Sequence, residues 1–168
     1  MIALANTLWA SGDDLSSPAG LGSWLRAVQE GLGVELPSGE LRVDEREWRA
    51  AVELRAVVRE LAAGGRPDLA ALNAVVRAAP RWRELGWEGG EPVVAVCSAG
   101  GAVAAALAGV AEAAVVLFSG PDRGLVQACG APSCIRFFVR EHPRREWCSP
   151  GCGNRVRVAR HYARAKGR

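Results

Sequence analysis

Apolar positions recur at helical spacing through much of the first two thirds of the chain. Leu21, Trp24, Leu25, Val28 and Leu32 share one face of a helix, with Ser17-Pro18 as N-cap and first helical proline, and Gly31 and Gly33 as a stop. A second stripe runs through Trp48, Val52, Leu54, Val57, Val58 and Leu61. It comes after Asp44, which makes a capping-box pattern with Glu47, and it ends at Gly64-Gly65. Pro67-Asp68 opens a third helix through Leu69, Leu72, Val75 and Val76, closed by Pro80. Residues 81–92 contain Trp82, Leu85, Trp87 and the pair Gly89-Gly90 without a clear period, and are read as irregular. Val93–Val96 is a β-branched run that predicts a short strand. Val103–Phe118 is apolar on most sides, the mark of a buried helix, and Gly120-Pro121-Asp122 separates it from the cysteine-rich end.

Composition changes this picture at three points. Pro92–Ala111 has no charged residue and approaches the length of a membrane span. Ala and Gly dominate it, however, and both drive insertion poorly, so a buried strand followed by a buried helix is the expectation, with no membrane partner. Six Trp against one Tyr and three Phe assign most of the aromatic packing to Trp. Met1–Ala10 lacks the basic start of a secretory signal, so a reducing, cytoplasmic setting is expected, where cysteines bind metal more readily than they form disulfides.

The net charge of +3 conceals an asymmetry. From Cys129 to the end, ten Arg or Lys face two acidic residues, a balance of +8; residues 1–128 hold the other eleven basic and sixteen acidic residues, a balance of −5. The basic end also carries four of the five cysteines. Four residues separate Cys129 from Cys134, thirteen separate Cys134 from Cys148, and three separate Cys148 from Cys152. Two close pairs on turn-forming sequence suit the four corners of a zinc tetrahedron. The intervening Ile135–Val139 is β-rich, His142-Pro143-Arg144-Arg145 reads as a polar turn, and Glu146-Trp147 leads back, which predicts a hairpin between the pairs. Without metal, some forty residues with few large apolar side chains have little to fold around. His142 and His161 are potential ligands, but four cysteines already fill the shell. Such a closed site is structural, not catalytic. The alternative is four structural or disulfide-bonded cysteines without metal.

After Cys152 the pattern turns helical, giving a treble-clef-like arrangement whose last ligand lies in the first helical turn. On a wheel of about 100° per residue, Arg157, Arg160, Arg164 and Arg168 fall on one arc with His161 at its edge, and Lys166 adds a further charge to the helix. Val156, Ala159 and Ala163 form an adjoining apolar stripe expected to pack on the knuckle. Arg144 and Arg145 at the turn extend the basic surface. Guanidinium forks suit phosphate, so this face fits nucleic acid, duplex backbone in particular. The alternative is a solvated cationic face, or one that neutralises the acidic body.

Cys152-Gly153-Asn154-Arg155 resembles the signature of the CGNR zinc-finger family. Its context fits as well: the first cysteine pair, then Arg136-Phe137-Phe138-Val139, then Arg144, Arg145, Trp147, Cys148 and Ser149, then the basic helix. The upstream chain is similar to that family's usual partner, the ABATE domain, at Leu4-Ala5-Asn6-Thr7, at the Leu21–Leu25 helix with Trp24, and at Asp68-Leu69-Ala70-Ala71-Leu72-Asn73. The resemblance implies a bacterial, stress-linked transcription regulator whose finger binds DNA. This chain departs from the pattern in carrying Glu141-His142-Pro143 at the turn. Asn154 is expected to bond the thiolates, and Arg155 either to contact phosphate or to form an ion pair.

No enzymatic constellation emerges. Cys97-Ser98 before Gly100-Gly101 invites a nucleophile-elbow reading, but Val96 stands at the first glycine position. The expectation is therefore an α+β protein: a mainly helical N-terminal domain over residues 1–125 and a small treble-clef-like zinc finger over residues 126–168. It would hold structural zinc through Cys129, Cys134, Cys148 and Cys152, and would meet DNA phosphates with Arg144, Arg145, Arg155, Arg157, Arg160, His161, Arg164 and Lys166. The N-terminal domain would sense a small-molecule effector or assemble homo-oligomers. The competing expectation is a zinc-stapled protein-interaction or RNA-binding module.

Overall fold

The computed structural model describes residues 1–166. Arg168, on the expected basic arc, lies outside the described residues. The chain is α+β and mainly helical, with three two-stranded antiparallel sheets among the described residues. Helix α1 (Ile2–Ala5) precedes strands β1 (Leu8–Trp9) and β2 (Gly12–Asp13). Helix α2 (Pro18–Ala27) starts as its sequence dictates: the Ser17 hydroxyl accepts from Gly20 N at 3.2 Å, and Pro18 takes a position needing no amide donor. Helix α3 (Glu45–Ala62) carries the full capping box: Asp44 accepts from Glu47 N at 2.7 Å, and Glu47 accepts from Asp44 N at 3.0 Å. Helix α4 (Ala70–Ala78) starts three residues after Pro67, once Asp68 has accepted from Ala70 N at 2.9 Å.

Leu4, Leu15, Leu21, Leu25, Leu54 and Val58 are fully buried where α1, α2 and α3 meet. Each such side chain contributes on the order of 1.5–3 kcal/mol. A buried polar link crosses this core. Arg55 of α3 donates to both carboxylate oxygens of Asp13, one at 2.9 Å, and also to the Thr7 hydroxyl at 3.2 Å. Arg55 and Thr7 are both buried, so each needs its partner in place.

The tract read as irregular is instead a long hairpin. Strands β3 (Arg81–Glu88) and β4 (Glu91–Ser98) pair without interruption from Arg81↔Ser98 to Glu88↔Glu91. Gly89 (φ 57°) and Gly90 (φ 89°) form the tight turn, which requires left-handed backbone at both central residues. Neither face of this ribbon is fully covered, so its sequence lacks the apolar–polar alternation of a half-buried strand.

Helix α5 (Ala102–Ser119) packs on α4 and α3 and buries Val103, Leu107, Val110, Ala111 and Ala114. It is long and apolar enough to cross a membrane. Its small side chains let neighbouring helices approach closely, while Val115 and Val116 at its far end are exposed. Strands β5 (Val126–Ala128) and β6 (Phe137–Val139) and helix α6 (Pro150–Lys166) complete the chain. Val126 and Phe137 are buried in the same apolar cluster as α1–α5, so this small sheet is anchored in the body.

Candidate metal centre and basic helix

The first two cysteines sit in the loop that closes the β5–β6 ladder, whose register is Val126↔Val139, Gln127↔Phe138 and Ala128↔Phe137. Cys129 N donates to Arg136 O at 2.9 Å, and Cys134 N to Ala131 O at 3.1 Å. Ser133 adopts a left-handed φ of 60° in this turn, a conformation uncommon for a residue with a side chain. Cys148 lies two residues before α6, and Cys152 lies in its first turn, as expected of the last ligand.

The expected hairpin between the cysteine pairs does not form. Strand β6 pairs backward with residues 126–128, and Glu146-Trp147 forms no strand. Arg145 accounts for the difference. Its guanidinium donates to the carbonyls of Val139, Trp147 and Cys148 at 3.3–3.4 Å, pairs with Glu141 at 3.4 Å, and lies 5.1 Å over the Phe138 ring. It thus holds residues 139–148 as a folded loop.

The four cysteine sulfurs all lie within 4.8 Å of one another. Cys134–Cys148, Cys148–Cys152 and Cys152–Cys134 are separated by 3.8, 3.5 and 3.7 Å. A tetrahedron with Zn–S bonds of about 2.3 Å has edges of about 3.8 Å, so these separations fit zinc, and all are far beyond disulfide bonding. The surroundings of these sulfurs are uneven. Burial, then the neighbouring thiols, push Cys148 up to about 12. Burial also opposes the Cys152 thiolate, but hydrogen bonds with Ser149 and Arg155 and from the other cysteines outweigh it and lower it to about 6. Burial raises Cys134 as well. Thiols this close resist joint ionisation; a dication reverses that balance, so the arrangement suits four thiolates around zinc. With every corner a protein sulfur, the zinc is structural.

Two donors flank the thiolates. Arg155 Nη2 lies 3.0 Å from Cys152 Sγ, and Cys148 N donates to Cys129 Sγ at 3.4 Å. The expected amide role of Asn154 is not what the structure shows: Asn154 is exposed, and its neighbour Arg155 meets the sulfur.

The candidate basic residues therefore separate into two sets. Arg145, half-buried, and Arg155, exposed but bonded to Cys152, are engaged with the knuckle. Arg144, Arg157, Arg160, His161, Arg164 and Lys166 are exposed. The expected apolar stripe is shorter than its sequence suggests. Val156 packs with Cys129, Ala131 and Cys152, but Ala159 and Ala163 are exposed because, among the described residues, nothing lies beneath α6 where it runs past the knuckle.

Three links tie this knuckle to the body, and sequence reasoning missed them. The Asn6 amide mimics a strand residue, donating to Phe137 O at 2.9 Å and accepting from Phe137 N at 2.8 Å. Arg59 donates to Ala5 O at 2.6 Å and Ile135 O at 3.0 Å, and covers the Phe137 ring at 5.2 Å. Arg136 covers Trp9 at 5.8 Å. The signal available for the first was Asn6, a polar residue directly after an apolar turn of helix. Cys97, the fifth cysteine, lies on β4, and burial and the nearby Glu84 raise its thiol, the reverse of an activated nucleophile.

Family comparison agrees with this geometry. Residues 1–121 match the ABATE family, described as "Putative stress-induced transcription regulator", and residues 126–165 match the CGNR zinc finger. No curated protein gives a significant match. The first match spans most of the chain and the second contains all four zinc ligands, so the chain belongs to the ABATE family and carries a CGNR zinc finger at its C-terminal end.

Proposed function

We propose that this protein is a DNA-binding regulator in which zinc fixes the start of α6 and the exposed arginines of that helix grip the phosphate backbone. The carrying observation is the free-standing distal half of α6. Arg157, Arg160 and Arg164 lie at spacings of three and four residues, all exposed, on a helix whose first turn is fixed by Cys152. Successive guanidinium groups on one helical face match a line of phosphates and donate paired hydrogen bonds to each. Arg144 extends the row, whereas Arg145 and Arg155 serve it indirectly by holding the loop and the metal site. The body, with its balance of −5 against +8 beyond residue 128, orients the finger and leaves the helix projecting. The cytoplasm suits this role, because its reducing conditions keep the four cysteines available for zinc. We assign the chain no catalytic activity.

A second reading is favoured by Tyr162 and Val158, which are 64% and 45% exposed on the same helix. An exposed tyrosine beside arginines also suits RNA bases or a protein surface. Reversing charge at Arg157, Arg160 and Arg164 separates the two. Duplex DNA binding is expected to vanish while zinc content stays at one per chain. Undiminished duplex binding by this variant, or binding of single-stranded RNA in preference to duplex by the unmodified protein, would overturn the DNA reading.

A further inference from the structure

The β3–β4 ribbon is the one large element that the metal and the basic helix leave unexplained. Among the described residues it pairs only with itself, and much of its surface is apolar: Leu85, Trp87 and Val94 are 75%, 74% and 66% exposed, and Trp82 is 45% exposed. An isolated two-stranded ribbon is marginal in water and gains from further strands. Its two edges differ. The two-residue turn makes Glu88↔Glu91 a hydrogen-bonded pair, so Arg81, Arg83, Leu85 and Trp87 direct their backbone groups away from β4. Among the described residues, no backbone group outside the ribbon bonds to Arg83, Leu85 or Trp87. On the β4 edge Pro92 interrupts the outward row, because it has no N–H to give. The β3 edge has no such interruption: Arg83, Leu85 and Trp87 all keep their outward amides.

We infer that β3 is a self-association edge, pairing antiparallel with β3 of a second copy of this chain to form a continuous four-stranded sheet. Charge selects both the partner and the register. The base of β3 carries the exposed Arg83, and its tip carries Glu88 with Glu91 alongside; Arg81 is turned into the body, where it pairs with Glu112 at 3.6 Å. Antiparallel self-pairing lays each acidic tip along the other copy's basic base. Centring the two-fold axis on Leu85 places Leu85 opposite itself, Arg83 opposite Trp87, Trp82 opposite Glu88 and Glu84 opposite Gly86. No like charges then stand directly opposite, and Arg83 gains a cation–π partner. Centring on Glu84 sets two carboxylates face to face; centring on Gly86 sets Glu84 against Glu88. The new interface joins the two β3 backbones and the side chains that meet across them, Leu85 and Trp87 foremost, while Val94 on β4 stays outside it; a contact this small corresponds to a weak dimer.

The inference is independent of the DNA reading and is tested without nucleic acid. Sedimentation equilibrium of the zinc-loaded full chain from about 1 to about 100 µM should show the average mass rising toward twice the chain mass. Leu85→Lys should move the midpoint at least about tenfold upward while zinc content and circular dichroism stay unchanged. In a Cys97→Ser background, Leu85→Cys should cross-link between chains. Its two thiols would lose two protons and two electrons to added oxidised glutathione, giving one disulfide and reduced glutathione. Glu84→Cys should cross-link more slowly. A monomer throughout the range, a dimer indifferent to Leu85→Lys, or faster linkage through position 84 would overturn the proposal.

Discussion

The body and the zinc knuckle achieve order by different means. In the body, Leu4, Leu15, Leu21, Leu25, Leu54 and Val58 are excluded from water by helices that cap themselves correctly. In the knuckle, the buried set is Cys129, Ala131, Cys152 and Val156, too small to offset the entropy of ordering the surrounding chain. The metal makes up the difference. Yet the two regions are not separate beads, because Val126 and Phe137 of the small sheet belong to the body's core. The comparison teaches that zinc organises the sulfurs and the start of α6, while the body organises the sheet from which the first cysteine pair hangs.

Zinc removal breaks that comparison most forcefully. Structural zinc in small fingers contributes apparent binding energies of about 10–16 kcal/mol. A strong chelator should therefore abolish amide protection in α6 and the cysteine loops while α3 and α5 keep theirs, as read by hydrogen exchange. Loss of protection in α3 on chelation would show that the body depends on the metal as well.

Arg155→Gln keeps all four ligands but removes the guanidinium from Cys152. Outer-shell changes of this kind typically cost about 10–100-fold in metal affinity. A competition titration for zinc should show a loss in that range, with secondary structure retained at saturating zinc. Unchanged zinc affinity would return Arg155 to the pool of phosphate contacts.

Asn6→Ala tests the seam. It strips two hydrogen bonds from the Phe137 backbone and leaves that amide and carbonyl without their partner, a cost of about 1–3 kcal/mol. Protection of β6 should fall by a corresponding factor, with zinc stoichiometry unchanged. The same substitution leaving β6 protection intact would mean that Val126 and Phe137 suffice to dock the sheet.

The smallest effect concerns acid. The Arg55 side chain, bonded to Asp13, holds that carboxyl below its ordinary value, so the folded chain takes up fewer protons here than the unfolded one. The resulting stability is complete above the usual carboxylate pKa of about 3.9 and is lost as pH falls through the lower folded value. Asp13→Asn should lower stability at neutral pH and flatten that stretch of the pH profile. An unchanged slope would indicate that the pair contributes no net stability.

Legibility in the sequence depends on how local each feature is. The capping box at Asp44 and Glu47, the Ser17-Pro18 start and the four cysteines are defined by residues within a few positions of each other, and they read correctly. The β3–β4 hairpin did not, because an uncovered ribbon shows no period-two alternation, although Gly89-Gly90 between β-prone runs was its turn signal. The backward pairing of β6 escaped because residues 126–128 find their partner through the body's core, a contact that spacing does not encode. Arg145 and Arg155 look like surface charge in sequence; only the folded chain shows that one binds carbonyls and the other a sulfur.

The central claim is that zinc shapes this finger so that α6 meets phosphates. It is tested most directly by titrating duplex DNA with the zinc-loaded full chain at several salt concentrations. Each phosphate contact should contribute about −0.9 to the slope of log affinity against log salt, so contacts by Arg157, Arg160 and Arg164 require a slope of about −3 or steeper. No duplex binding at low salt, or affinity indifferent to salt, would contradict the account.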